Sequence, residues 1–152
     1  MSKLAIGSPA PAFDAEDQHG TRHRLEDYRG KTVVLYFYPK DDTPGCTKEA
    51  CSFRDLSKDY AAKQVVVFGV SPDNAASHQK FAKKFELDFS LLADVDKKIA
   101  EAYEVWVEKS MYGKKYMGVE RSTFVIGPDG NLVQELRKVK PETHPTELLE
   151  SL

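Results

Sequence analysis

The sequence predicts an α/β protein in which helices flank a mixed central sheet. Two continuous runs of β-branched and aromatic residues, at 32–38 and 65–70, are typical of strands buried on both faces. Between them, residues 44–62 favour a helix, because Pro44 suits the first helical turn and Thr43 can cap it. A strand, a helix and a second strand in this order form a βαβ unit, so the two strands are expected to be parallel.

The remaining segments complete the fold in chain order. We predict two more helices and two more strands, at 74–85, 96–103, 122–126 and 131–136. The two strands flank the sequence Gly-Pro-Asp-Gly at 127–130, which favours a tight hairpin turn. A short helix over 145–152 closes the chain. A βαβ half followed by a hairpin and a final helix is the thioredoxin-like order of elements.

Length and composition are those of one ordinary globular domain, predicted to span residues 1–152. A chain of 152 residues buries enough surface to fold without a disulfide or a metal. The net charge of −2 argues against a nucleic-acid or anionic-membrane partner, since either would favour a basic face. No apolar run approaches the ~20 residues of a membrane span, and residues 1–13 lack the apolar core of a signal peptide. A cytoplasmic protein is therefore expected.

The stretch that carries chemistry is Pro-Lys-Asp-Asp-Thr-Pro-Gly-Cys at 39–46, which leaves a central strand and enters a helix. Ligands of open α/β sheets bind in the crevice at that end of the strands. Cys46 would lie in the first helical turn, where free N–H groups and the helix dipole favour a thiolate, the nucleophilic form of cysteine. The alternative is that Cys46 is only a small buried hydrophobic side chain.

The residues around this cysteine have two interpretations each. Thr43 either caps the helix or turns its hydroxyl towards the sulfur. Pro39 either ends the strand or shields the sulfur from water. Glu49 is either an exposed helical residue or the carboxylate that orients a cation beside the sulfur. Asp41 and Asp42 oppose a thiolate unless they point to solvent.

Cys51 lies on the same predicted helix as Cys46, about 140° round its axis. The two Cα atoms would be roughly 8–9 Å apart in an intact helix, whereas a disulfide requires about 4.4–6.8 Å. A bond between them therefore needs the first turns of the helix to unwind. Two cysteines in a reducing compartment are expected to be catalytic, redox-active or inert rather than joined in a permanent structural bridge. Neither has partners at zinc-like spacing, so we predict no metal site, and the absence of a C-x-x-C motif weakens the case for a disulfide-exchange function.

The pattern Pro39-x-x-x-Thr43-x-x-Cys46 resembles the active-site motif of the peroxiredoxins. The longer run at 43–51, Thr-Pro-Gly-Cys-Thr-Lys-Glu-Ala-Cys, is similar to the bacterioferritin comigratory protein (PrxQ) branch of that family. The resemblance covers nearly the whole chain, since it extends to segments 7–13, 36–39 and 116–126. It implies a thioredoxin-like fold and a thiol-dependent peroxidase.

The resemblance also implies a role for each residue of the site. Cys46 is the peroxidatic cysteine, and Thr43 is a hydrogen-bonding partner for its sulfur and for the peroxide. Pro39 closes the pocket. Arg121 stabilises the thiolate and polarises the peroxide, and Glu49 fixes that arginine. Without the resemblance, Arg121 would be interpreted as a surface cation at the end of a strand.

By the same resemblance Cys51 is the resolving cysteine. The implied enzyme reduces hydrogen peroxide and organic hydroperoxides through a Cys46 sulfenic acid and a Cys46–Cys51 disulfide, which thioredoxin, or alternatively glutaredoxin, reduces again. No cofactor is needed, and the branch favours a monomer. The alternatives are a thioredoxin-fold sensor that signals oxidation without turnover, and a thiol–disulfide oxidoreductase.

The segment 104–118 is expected to be a loop. Glu104 stands at a position where members of the branch commonly have glycine, a departure that leaves the catalytic assignment unchanged. Trp106 and Tyr112 are expected to pack within this loop rather than to contact substrate.

Overall fold

The computed structural model describes residues 4–152, which contain nine strands and five α-helices. The strands are β1 (Asp14–Glu16), β2 (Arg22–Arg24), β3 (Thr32–Phe37), β4 (Val65–Ser71), β5 (Ser90–Ala93), β6 (Trp106–Met111), β7 (Lys114–Val119), β8 (Ser122–Ile126) and β9 (Leu132–Arg137). The helices are α1 (Pro44–Asp55), α2 (Ser57–Ala62), α3 (Ala75–Lys84), α4 (Lys98–Ala102) and α5 (His144–Glu150). A short 3₁₀ helix, Leu25–Tyr28, follows β2.

The central sheet has five strands in the order β5-β4-β3-β8-β9. β3 pairs with β4, and β4 with β5, in parallel, whereas β8 is antiparallel to both of its neighbours. The sheet is therefore mixed, as predicted, and the βαβ unit that contains β3, α1 and β4 lies at its centre. The pairs β1–β2 and β6–β7 form separate two-stranded sheets.

The hydrophobic core lies on both faces of the central sheet. Because alternate residues of a strand point to opposite faces, Leu35 and Phe37 of β3 pack on one face, while Tyr36 and Tyr38 pack on the other. α1 covers the second face, where the rings of Phe53 and Tyr36 stack with centroids 4.5 Å apart. A fully buried side chain of this size contributes about 1.5–3 kcal/mol, so Phe53 attaches the carboxyl-terminal half of α1 to the sheet.

The prediction of one helix over 44–62 is wrong in one respect, because this segment forms two helices, α1 and α2. Leu56 ends α1 with φ −99° and ψ 7°. Its N–H group donates to the carbonyl oxygens of both Ser52 and Phe53, at 3.1 and 3.2 Å, which is the tightening common at helix ends. No glycine or proline marks this break, so the sequence pattern did not reveal it. The other predicted elements differ from the observed ones by a few residues at their ends.

The expectation of a loop at 104–118 is wrong, because β6 and β7 form a hairpin there. Its turn is Tyr112-Gly113, both with positive φ (53° and 77°), as two-residue hairpin turns require. Tyr112 is 97% exposed, so it does not pack as expected, whereas Trp106 packs half-buried against the core. The hairpin escaped prediction because its strands do not alternate apolar and polar residues.

Three very short strands, β1, β2 and β5, were also not predicted. Runs of three or four residues are too short for an alternating pattern to be recognised. No helix in the described part of the chain, residues 4–152, is long and apolar enough to cross a bilayer.

Candidate active site

Cys46 lies in the first turn of α1, beyond the carboxyl end of β3. α1 begins at Pro44, and the free N–H groups and positive dipole end of the helix favour an anion at this position. The Cys46 side chain is 1% exposed and belongs to the core on the α1 side of the sheet. Because burial is compatible with either a packing residue or a reactive thiol, the neighbours of the sulfur decide between them.

Strand pairing brings Arg121 to the sulfur. β8 runs antiparallel to β3, and its first residue, Ser122, lies opposite Phe37, the last residue of β3. Arg121 directly precedes β8 and is therefore placed at the carboxyl end of β3. Its Nη2 donates a hydrogen bond to Cys46 Sγ at 3.3 Å, and its Nη1 donates one to Glu49 Oε1 at 2.7 Å. The arginine is thus not a surface cation, and it contacts the sulfur directly.

The charges of this group depend on one another. Burial works against the Arg121 cation, but the Glu49 carboxylate and the Cys46 sulfur outweigh burial and raise the pKa of Arg121 above its ordinary value. Burial raises the pKa of Glu49 to about 7, although Arg121 acts to lower it. Oε2 of Glu49 has no hydrogen-bond partner within residues 4–152. Glu49 is therefore a buried residue in contact with the cation, not an exposed helical residue.

Thr43 and Pro39 border the site. Thr43 precedes α1 with an extended backbone, but its side chain makes no capping hydrogen bond, so the expected side-chain cap is wrong. Thr43 Oγ1 instead donates to the carbonyl oxygen of Lys40 at 2.9 Å, which leaves its lone pairs available to a ligand. Pro39 is half-buried just after β3, and its shielding of the sulfur stays a prediction.

Asp41 was expected to oppose a thiolate at Cys46 unless its side chain pointed to solvent, and it does not point to solvent. It is buried, and its carboxylate accepts hydrogen bonds from Tyr38 Oη at 2.6 Å and Ser77 Oγ at 2.8 Å. His78 Nδ1 lies 2.7 Å from the same carboxylate. These contacts, rather than water, compensate the charge of Asp41. Asp42 is exposed and pairs with a lysine of α3.

One group of three side chains within residues 4–152 has donor atoms close enough to hold a metal ion: Asp41, Asp73 and His78, within 4.8 Å of one another. Hydrogen bonds already use these atoms. Asp73 Oδ2 accepts from the Asp41 N–H at 2.8 Å, and His78 Nε2 lies 2.9 Å from the carbonyl oxygen of Leu92. We therefore interpret the group as an anchor for the loop that precedes α1.

Cys51 lies on the same helix as Cys46, and both thiols are free. α1 is continuous from Pro44 to Asp55, and the Cys46 side chain is buried while Cys51 is half-buried on another side of the helix. This is the arrangement in which a disulfide cannot form until the first turns unwind.

Two residues near the site, His78 and Lys109, escaped prediction from the sequence. His78 lies on the buried face of α3 with Phe81, and a histidine on an apolar stripe was the available signal. Lys109 of β6 lines a cavity of about 500 Å³ together with Arg121. Burial lowers the pKa of Lys109, and the Arg121 cation adds to this effect. No local signal marks Lys109, because its approach to Arg121 depends on the unpredicted hairpin.

Known proteins match nearly the whole chain. Residues 6–135 match the AhpC/TSA family. The chain is 50% identical over 149 residues to the peroxiredoxin Bcp of Bacillus subtilis, covering 98% of this chain and 95% of that protein. It is 46% identical over 152 residues to a putative peroxiredoxin bcp of Helicobacter pylori, covering 100% of each.

Solved structures share the fold. A PrxQ mutant of Xylella fastidiosa is 36% identical to this chain, with a TM-score of 0.94 and coverage of 99% of this chain and 96% of that one. A bacterioferritin comigratory protein of Xanthomonas campestris, studied for its alkyl peroxide reduction activity, is 37% identical, with a TM-score of 0.90 and coverage of 97% and 96%. The similarity therefore extends over the central sheet, its helices and the hairpin alike.

Proposed function

The chain belongs to the AhpC/TSA family, in its bacterioferritin comigratory protein (PrxQ) branch, and from this premise we propose that Cys46 is the residue that reduces peroxide. The predicted thioredoxin-like fold and the peroxidase class follow from this membership: the protein is a peroxiredoxin. The observation that carries the assignment to Cys46 is the 3.3 Å hydrogen bond from Arg121 Nη2 to its sulfur. A cation and a helix N-terminus both favour the thiolate, which is the nucleophilic form.

In the first step, a lone pair of the Cys46 thiolate attacks the terminal oxygen of a hydroperoxide. The O–O bond breaks, and its electron pair leaves with the other oxygen, which takes a proton to become an alcohol, or water when the substrate is hydrogen peroxide. The hydroxyl stays on the sulfur as a sulfenic acid. Arg121 donates to the developing oxyanion and Thr43 Oγ1 hydrogen-bonds the peroxide, since fixed donors stabilise such a transition state. Pro39 keeps water from the sulfur.

In the second step, the first turns of α1 unwind and the Cys51 thiolate attacks the sulfenic sulfur of Cys46. An S–S bond forms, the S–O bond breaks, and the leaving hydroxide takes a proton to become water. A dithiol reductant then restores both thiols by exchange while its own two thiols become a disulfide. We propose thioredoxin as this reductant, because it is typical of peroxiredoxins, with glutaredoxin as the alternative.

The setting of this reaction is a further part of the proposal. Cysteines that a dithiol reductant must return to thiols suit a reducing compartment, so the enzyme is proposed to act in the cytoplasm. The reacting cysteines and the Arg121–Glu49 pair come from one chain, so a monomer has a complete site. Sulfur carries the electrons in both steps, and the proposed cycle uses no metal, haem or flavin.

The test is intact-mass spectrometry of the wild type, Cys46→Ser and Cys51→Ser after one equivalent of hydrogen peroxide, followed by turnover with thioredoxin and its reductase. The wild type should lose two hydrogens and then consume peroxide repeatedly. Cys46→Ser should not react, and Cys51→Ser should gain one oxygen and over-oxidise with excess peroxide. Normal turnover by Cys51→Ser would contradict the resolving role. A wild type that stops after one equivalent, even with thioredoxin, would favour the sensor.

A further inference from the structure

His78 is a fully buried polar side chain for which the proposed reaction has no use. It lies in α3 and is 0% exposed. Its Nδ1 lies 2.7 Å from Asp41 Oδ2, and its Nε2 lies 2.9 Å from the carbonyl oxygen of Leu92 in β5. Both ring nitrogens are engaged, so the ring cannot turn without losing a contact. His78 thus connects Asp41 to the central sheet.

Asp41 belongs to residues 38–43, which join β3 to α1 and are called the active-site loop below. Besides its contact with His78, the Asp41 carboxylate accepts hydrogen bonds from Tyr38 and Ser77. The backbone N–H of Asp41 donates to Asp73 Oδ2. Because Ser77 and His78 both lie in α3, Asp41 ties the active-site loop to that helix. A buried carboxylate depends on such donors, since an unpaired charge away from water is costly.

This anchor lies just before the part of α1 that must move. Attack on peroxide needs the first turn of α1 folded, with Arg121 beside the Cys46 sulfur, whereas disulfide formation needs the same turn unwound. The active-site loop is covalently continuous with Pro44, the first residue of α1, so fixing the loop at Asp41 opposes the unwinding.

We propose that His78 is a positioning residue that, through Asp41, holds the active-site loop and so sets the balance between the two steps at Cys46. This inference rests on the proposed function, because it concerns the same cysteine. Loss of the contact between His78 and Asp41 should slow the reaction of Cys46 with peroxide, speed the formation of the disulfide, and so change the ratio of the two rates about tenfold. A tenfold change corresponds to about 1.4 kcal/mol, close to the lower end of what one hydrogen bond to a charged group contributes.

Two substitutions at position 78 separate its two contacts. The asparagine amide takes the place of Nδ1, so His78→Asn keeps a donor for Asp41 and loses the contact with β5. The glutamine amide takes the place of Nε2, so His78→Gln keeps the contact with β5 and loses the contact with Asp41. The control is Tyr103→Phe, which removes a part-buried hydrogen bond to the Pro11 carbonyl oxygen. Tyr103 belongs to the core on the face of the sheet opposite α1, so this variant tests for a general loss of stability.

Rapid-quench mass spectrometry after one equivalent of hydrogen peroxide measures the two steps separately. His78→Gln should show a slower first step and a faster second step, while His78→Asn and Tyr103→Phe should stay near the wild type. Unchanged rates in His78→Gln, or the same change in all three variants, would overturn the proposal. If His78→Gln does not fold, Ser77→Ala removes a different donor to Asp41 and must produce the same opposite shifts. A wild type that forms no sulfenic acid would refute the proposed function instead.

Discussion

The Arg121 guanidinium lies between two groups that can each carry a negative charge, Cys46 and Glu49. Its planar fork donates to both at once, through Nη2 and Nη1. When Glu49 is ionised, its carboxylate shares the cation with the sulfur. When Glu49 holds its proton, the charge of Arg121 is left to the sulfur alone. The protonation of this one buried carboxyl group therefore affects both the stability of the protein and the field at the sulfur.

Glu49→Gln should change how the free energy of unfolding depends on pH. Because burial raises the folded-state pKa of Glu49 from 4.5 to about 7, the folded protein binds this proton more tightly than the unfolded chain does. The stabilising contribution is full below pH 4.5 and is lost as the pH rises to about 7. The difference in unfolding free energy between the wild type and Glu49→Gln should fall by on the order of 3 kcal/mol over that range.

Urea unfolding at a series of pH values measures this difference. Glu150→Gln, at an exposed position of α5, is the matched control and should leave the pH profile of the wild type unchanged. A difference between wild type and Glu49→Gln that stays constant between pH 4.5 and 7 would show that the buried carboxyl group is not responsible.

The sequence identified these residues by two different routes. Cys46 could be predicted from local signals, because a buried strand, a proline and a helix start adjoin it. The pairing of Glu49 with Arg121, 72 positions apart, came only from the family resemblance. The contact of Asp41 with His78 spans 37 positions and was missed, because nothing in either segment indicates that α3 packs against the active-site loop.

At the scale of elements, α1 is attached unevenly to the rest of the protein. Its carboxyl-terminal half is held by Phe53, which is 1% exposed and stacks on Tyr36. The following helix, α2, is held by Tyr60, whose hydroxyl donates to the Pro145 carbonyl oxygen at 2.6 Å. The first turns lack an aromatic anchor and are held by the active-site loop and by the contacts of Cys46 and Glu49 with Arg121. Unwinding should therefore be confined to the part of α1 that precedes Phe53.

Oxidation of the two cysteines should expose the amides of the first turns of α1. Disulfide formation is incompatible with helical spacing between Cys46 and Cys51, so the N–H groups at 47–51 must lose their helical partners. Hydrogen exchange of peptides that cover this segment should accelerate by more than about tenfold in the oxidised wild type. Peptides from α3 and oxidised Cys51→Ser are the controls, and neither should change. A disulfide detected by mass with unchanged protection of residues 47–51 would contradict the unwinding.

Which elements could be predicted depended on how much of each is buried. β3 and β4 could be recognised because their buried residues form continuous apolar runs. The β6–β7 hairpin could not, because its strands are largely exposed and place lysines beside tyrosine and methionine. The break between α1 and α2 at Leu56 could not be predicted, because no glycine or proline marks it.

At the scale of the whole molecule, α5 closes the core on the α1 side. Leu148 is 2% exposed within that core. His144, the first residue of α5, is also buried, and its Nε2 lies 2.8 Å from Thr123 Oγ1 in β8 of the central sheet. One buried imidazole thus connects the last helix of the chain to the sheet. The single domain predicted for the chain stays a prediction, consistent with one sheet that separates both cores.

His144→Gln should reduce the acid sensitivity of the protein. Burial, with a smaller contribution from the Arg121 cation, lowers the pKa of His144 from 6.5 to about 4, although Glu147 opposes this. As the pH falls below 6.5 the unfolded chain binds a proton at His144 that the folded protein resists, so stability is lost progressively down to about pH 4. The wild type should lose on the order of 3 kcal/mol more than His144→Gln over this range. His19→Gln, at an exposed position, is the control. Parallel acid-unfolding curves for the wild type and His144→Gln would show that the buried imidazole does not cause the loss of stability at low pH.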